Sequence, residues 1–127
     1  MSEAEWAAGL YDGEGCTMLT INKSRRNYPM MVASLSQSHE VVVVERFQRA
    51  VGYGRIRVHY RRQQPDVPIY RYSCTGWDVL NVLKVMWPYL SPPKRRQAAK
   101  VVRRFREEYQ LLGLVKRGRY RKRGEVA

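Results

Sequence analysis

Only 2 of the 127 residues are cysteine and only 2 are histidine. Cys16 and Cys74 lie far apart and outside any CxxC pattern, which excludes a disulfide scaffold and suits two buried, reduced thiols. His39 and His59 are equally scattered, so a zinc-type ligand cluster is excluded. No apolar run approaches membrane-spanning length, and the first residues lack the basic start and apolar stretch of a signal peptide. These absences lead us to expect an intracellular protein of the cytoplasm, nucleoid or an organelle, with no membrane partner. Acidic residues are scarce as well. There are 11 Asp and Glu against 24 Lys and Arg, a formal net charge of +13.

The bases are segregated rather than mixed. Between Arg46 and Pro65 there is no acid, while Arg46, Arg49, Arg55, Arg57, Arg61 and Arg62 accumulate. A second acid-free span, from Val79 to Arg106, holds Lys84, Lys94, Arg95, Arg96, Lys100, Arg103, Arg104 and Arg106. Such a field attracts a polyanion by releasing its condensed counterions, which makes nucleic acid the leading partner. The chain is 44% hydrophobic, enough for a single globular domain with a real core.

The pattern along the chain predicts an α+β order. Ser2 and Glu5 form a capping-box pair, so a helix begins near Glu3 and ends at Gly13 and Gly15. From Cys16 a strand alternates Leu19 and Ile21 against Met18, Thr20 and Asn22, and a turn follows. Met31, Ala33 and Leu35 alternate against Val32, Ser34 and Ser36 in a second strand that pairs with the first. Residues 39 to 51 suit a strand by valine content, but Val43, Val44, Phe47 and Val51 fall at helical spacing, with Ser38 to cap and Gly52 to end. We expect a helix there. A third strand follows with Ile56 and Val58 inward, then a loop over residues 62 to 68, then a strand carrying Tyr70, Tyr72 and Cys74. Thr75 and Asp78 read as a further capping box for a helix that Pro88 ends. Ser91 and Pro92 start a last long helix with the stripe Ala98, Val101, Val102, Phe105, Tyr109 and Leu112. We take residues 1 to 113 as the domain and 114 to 127 as a basic tail without a core face.

Four antiparallel strands with helices on one face leave the other face open. That face is expected to carry Thr20, Asn22, Ser34, Ser36, Arg55, Arg57, His59, Arg61, Arg71 and Ser73, with Arg25 and Arg26 in the adjoining turn. Arginine, asparagine and serine on a twisted sheet suit a DNA major groove, where guanidinium and amide groups bond base edges.

The opening stretch "WAAGLYDGEGC" concentrates scarce acids in a basic chain. Gly9 and Gly13 lie one helical turn apart beside Trp6 and Leu10, and small residues at that spacing let two backbones approach closely. A second copy of the same helix across a two-fold axis would use them. Each Glu14 would then approach its counterpart at the negative ends of two helix dipoles, and a divalent cation would relieve the repulsion.

"AAGLYDGEG", Ala7 to Gly15, resembles the LAGLIDADG motif of homing endonucleases, and the element order resembles that family's αββαββα half over nearly the whole chain. The resemblance implies the following. One motif copy implies a homodimer acting on a long pseudo-palindromic site in double-stranded DNA, with Mg2+ as cofactor and Ca2+ or Mn2+ able to substitute. Glu14 and the Gly15 carbonyl would be metal ligands; Gln37 would order water, and Lys94 would stabilise charge or activate solvent. Arg95 and Arg96 remain alternatives to Lys94, whose register in the loop is open. Trp6, Gly9, Leu10, Asp12 and Gly13 would form the dimer interface, Asp12 also holding the helix junction. The rival readings are a catalytically silent DNA-binding regulator, an RNA-splicing maturase, or a general basic RNA-binding module.

Overall fold

The computed structural model describes residues 1 to 25 and 27 to 112; Arg26 and residues 113 to 127, which include the basic tail expected from 114, lie outside the described residues. The elements are α1 (Glu3–Glu14), β1 (Cys16–Asn22), β2 (Tyr28–Ser38), α2 (Val41–Val51), β3 (Arg55–Arg61), β4 (Gln64–Thr75), α3 (Asp78–Met86) and α4 (Pro92–Leu111). The strands form one antiparallel sheet in the order β1-β2-β4-β3.

Register assigns the two faces of the sheet. Ala33 pairs with Thr17 on one side and Cys74 on the other, and Leu35 pairs with Tyr72. This row faces the helices and is buried with Met31. The adjacent rows, Cys16, Ser34, Ser73 and Arg55, then Ser36, Arg71 and Arg57, face away. The core closes with Ala7, Ala8 and Tyr11 of α1, Val44, Phe47 and Val51 of α2, Val79, Val82 and Met86 of α3, and Ala98, Phe105 and Tyr109 of α4. Phe47 joins these layers, stacking on Tyr11 and meeting Tyr72 edge-on at 4.8 Å between ring centroids.

Several local expectations are corrected. Residues 64 to 68 belong to β4 rather than to a loop, and both Pro65 and Pro68 sit in the strand. They are accommodated because β2 ends at Ser38, opposite Ile69, so Pro68 has a ladder partner only in β3, and because the β3 register shifts between Tyr60 and Arg61, leaving Pro65 in an irregular stretch without a register partner. α2 is capped by Glu40, with no side-chain bond, instead of by Ser38, and His39 enters it at φ 69°. The Thr75 and Asp78 pair makes no capping box; α3 starts after Gly76 at φ 76°, with Trp77 at the N-cap position. Val58 points to the helix side but is 50% exposed, because the β3–β4 hairpin reaches past the helices that would cover it. Gly52 does end α2, in the left-handed conformation at φ 82°.

Candidate active site

The α1 helix is fixed at both ends. At its start the Glu5 N–H donates to Ser2 Oγ at 3.1 Å, and the Ser2 N–H donates to Glu5 Oε1 at 3.0 Å. At its end the Tyr11 hydroxyl and Thr17 Oγ1 share a hydrogen bond of 2.6 Å, tying the helix to β1. Burial pushes the Tyr11 phenol far above its ordinary range, so it stays neutral at any physiological pH. Its ring lies directly on Gly15, where an added Cβ would come within 2.2 to 2.6 Å of three ring carbons. Gly15 has φ −90°, so space and not backbone conformation demands glycine. Because Tyr11 is fully enclosed and cannot swing aside, Gly15→Ala should destabilise the chain by about 1–3 kcal/mol, as overpacking does. Urea unfolding measures that loss.

The helix terminus is then joined to the start of α4. Asp12 accepts from the Ser91 N–H at 3.0 Å and from Ser91 Oγ at 3.0 Å, and Ser91 is the N-cap residue of α4. The carboxylate thus sits at the positive end of that helix. Its carboxylate is engaged within the chain, at the helix junction where it was expected. Three residues on, Lys94 Nζ donates to the Gly15 carbonyl. Arg95 is used elsewhere, donating through Nε to the Leu90 carbonyl at 3.0 Å, and Arg96 is exposed. Of the three basic candidates, Lys94 is the one beside the motif. Asp12→Ala should destabilise the protein by about 1–3 kcal/mol through the donors it strands, and should slow any chemistry that needs Lys94 in place. Thermal melts and Lys94-dependent activity, measured together, check it.

Glu14 is the last residue of α1, exposed, and makes no hydrogen bond or ion pair among the described residues. Gln37 lies three residues past the Cys16 and Ser34 pair, about 10 Å along β2, on a stretch that β1 leaves uncovered. It is half-buried, on the Leu35 side of the sheet, and without a hydrogen-bond partner among the described residues. The structure therefore brings Glu14, Gly15 and Lys94 together and leaves Gln37 at the margin.

The outer side of α1 is uncovered. Gly9 and Gly13 are exposed, with nothing within 4 Å of a Cβ built on either. A shallow groove beside them is lined by Met1, Glu5, Trp6, Leu10 and Tyr89. The Arg46 guanidinium stands 4.0 Å from the centre of the Trp6 ring and bridges to Glu3 at 2.8 Å, holding the Glu3 carboxyl below its ordinary pKa. Sequence reading missed this brace, which joins α1 to α2 across residues with no local pattern.

On the open sheet face, Arg57 stands directly opposite Arg71, and Ser36 continues the row. Like charges directly opposite are destabilising and persist here without an acid between them. A hollow beside them is lined by Gly54, Arg55, Arg57, Ser73, Cys74, Thr75 and Asp78. Asp78, expected in the sequence only as a capping partner of Thr75, sets one acceptor among these donors. Arg55, Arg57, His59, Arg61 and Arg71 are exposed, as is Thr20; Asn22, Ser36 and Ser73 are half-buried. Asn22 Oδ1 accepts from the Ser24 N–H and hydroxyl, which shapes the turn that includes Arg25. Ser34 is buried at 5% exposure in the middle of the sheet, between Cys16 and Ser73, and so presents little surface on this face. The β1 end of this face is more apolar than expected, with Met18 opposite Val32 and Met30 beside Thr20.

Among the described residues no group of three or more His, Cys, Asp or Glu could hold a metal ion. One chain offers the Glu14 carboxylate and the Gly15 carbonyl, hard oxygens of the kind Mg2+ and Ca2+ prefer, but too few to complete a shell. The Gly15 carbonyl receives the Lys94 ammonium, which a cation bound there would have to displace or share the oxygen with. The donor set fits a divalent cation shared with other oxygens.

The chain is an αββαββα unit with an uncovered motif helix, a carboxylate at its end and a basic open sheet face. Its fold is that of the LAGLIDADG homing endonucleases. The homing endonuclease I-CvuI, in complex with its target in the presence of Ca, superimposes with a TM-score of 0.64 at 24% identity over 82% of this chain. I-CvuI with an I-CreI target in the presence of Mg, its DNA not cleaved, gives the same values. The group I intron-encoded homing endonuclease I-CeuI, complexed with DNA, matches at TM-score 0.59 and 14% identity over 94% of this chain. The chain spans 66% of the length of I-CvuI and 58% of I-CeuI. No protein-family model matches the chain, and no curated protein matches it in sequence.

Proposed function

We propose that this protein is a site-specific DNA endonuclease, acting as a Mg2+-dependent homodimer that makes double-strand breaks in a long pseudo-palindromic site. The observation that carries this reading is the contact of the Lys94 ammonium with the Gly15 carbonyl, next in the chain to the exposed Glu14, at the end of an otherwise uncovered helix. The Asp12 and Ser91 bonds hold that contact in place. Support comes also from the structural neighbours, which are described as DNA complexes.

Glu14 and the Gly15 carbonyl would hold Mg2+, which when bound supplies charge stabilisation to the attacking and leaving oxygens of phosphodiester displacement. Lys94 sits where its ammonium neutralises charge building on the phosphate, and lysine, unlike arginine, is able to move a proton. Gln37, at the margin of this group, would have to reach it through a water to take part. The open-face arginines bind backbone and base edges, fixing the duplex over the paired helix ends. The test is a selection of cleavable duplexes from a randomised library, with and without Mg2+. Enrichment of a near-palindromic cut site only with the metal is expected. Binding to structured RNA with no DNA nicking would overturn the endonuclease reading in favour of an RNA-splicing role.

A further inference from the structure

The open sheet face is not the only basic surface. α4 contacts β1 and β2 from the helix side and buries Ala98, Phe105 and Tyr109 there. At 3.6 residues per turn, Arg96, Lys100 and Arg103 fall on the opposite side of the same helix, and all three are exposed. They therefore point away from the sheet. A helix diameter and the sheet thickness, on the order of 20 Å together, separate them from the face that bears Arg57 and Arg71.

Their electrostatic setting is unfavourable within the chain. From Lys94 to Arg106 there is no acid, and the first turn of α4, the positive end of its dipole, contains Lys94 and Arg95 and no carboxylate. Arg96 and Lys100 are like charges at i, i+4, as are Lys100 and Arg104. Among the described residues only Arg104 of this group comes within 4 Å of a carboxylate, that of Glu108 at a loose 3.9 Å; Glu107, one turn from Arg103, borders the same hollow as that arginine without bridging to it. The fold gains nothing from this arrangement, because none of these side chains packs in the core. A row of unpaired cations along about 10 Å of helix is complementary to a nucleic-acid backbone, whose phosphates provide the missing counter-charge.

We infer that the outer face of α4, through Arg96, Lys100 and Arg103, is a second nucleic-acid seat that holds the phosphates of a separate DNA duplex while the sheet holds the first. The contact is to phosphates, with no base readout, since the three side chains lie on one helix face with no neighbouring strand or loop to reach into a groove. It rests on the sheet being the first seat, as proposed above.

The experiment is a two-step capture. Full-length protein is loaded on bead-bound duplex DNA of random sequence, washed, and offered a second labelled duplex, DNA in one arm and RNA in the other. The parent protein is expected to retain the second DNA duplex, and retention of the RNA duplex alone overturns the proposal. The triple variant Arg96→Gln, Lys100→Gln, Arg103→Gln should load normally on the first duplex and retain at least tenfold less of the second. Salt should weaken its hold on the second segment less steeply, the log–log slope falling by about 0.9 for each duplex phosphate it no longer neutralises. All three positions are exposed and glutamine is a good helix former, so an unchanged thermal melt confirms the fold. Equal retention by parent and variant overturns the proposal, as does a parent that retains no second segment. A variant that loses the first duplex equally also overturns it, because α4 would then belong to one shared interface. Cleavage of a selected site is read separately. Its absence would count against the endonuclease and leave the capture result standing.

Discussion

Replacing Glu14 with glutamine is expected to lower DNA cleavage by at least about a thousandfold while leaving site binding within a few-fold of the parent. A thousandfold corresponds to about 4 kcal/mol of transition-state stabilisation, the several kcal/mol that metal-assisted charge stabilisation supplies. The substitution keeps the shape of the side chain and removes its charge. Glu14 is exposed and makes no bond within the chain among the described residues, so nothing in the fold depends on it. It also occupies the last turn of α1, where a negative charge opposes the helix dipole, and the neutral variant should be at least as stable as the parent. Stability and activity therefore move apart, which separates a chemical role from a structural one. Single-turnover cleavage in Mg2+, paired with gel-shift binding in Ca2+, reads both. Normal cutting by the variant would remove Glu14 as a ligand and with it the proposed centre.

Much of the fold was legible because the signals were local. The Ser2 and Glu5 capping pair, the alternation of Met31, Ala33 and Leu35, and the left-handed Gly52 each lie within a few residues of what they determine. The expectations that failed were those decided by neighbours distant in the chain. Pro65 and Pro68 signal a loop by composition, yet β4 tolerates them because β2 stops short of that stretch and the β3 register shifts there. Val58 alternates like a core residue but has no helix above it. Thr75 and Asp78 have the spacing of a capping box, but the turn at Gly76 leads the chain in by another route.

The site divides in the same way. Glu14 and Gly15 could be read from the motif alone. The register of Lys94 could not, because it is set by Asp12 bonding to Ser91, a contact across 79 positions of the chain. The need for glycine at position 15 was equally hidden, since it arises from the ring of Tyr11 folding back over it. The face of the sheet followed from alternation, but the burial of Ser34 depends on both flanking strands.

The double variant Gly9→Ala, Gly13→Ala should lose dimer formation and at least about a hundredfold in cleavage while its single chain becomes more stable. Each glycine in a helix interior destabilises it by about 0.5–1 kcal/mol relative to alanine. A methyl group at either position meets no atom within 4 Å in the chain, so intramolecular packing neither requires glycine nor resists the change. The gain of about 1–2 kcal/mol is to be measured by urea unfolding at a protein concentration low enough to keep the chain monomeric. If two α1 helices meet along this face, the added methyl groups hold their backbones apart. The two Glu14 carboxylates then separate, and neither can complete a cation site with the other. Light scattering reports the assembly and single-turnover cutting reports the chemistry. A stabilised variant that still dimerises and cuts would place the contact elsewhere, because no other property of this uncovered helix face explains two destabilising glycines one turn apart.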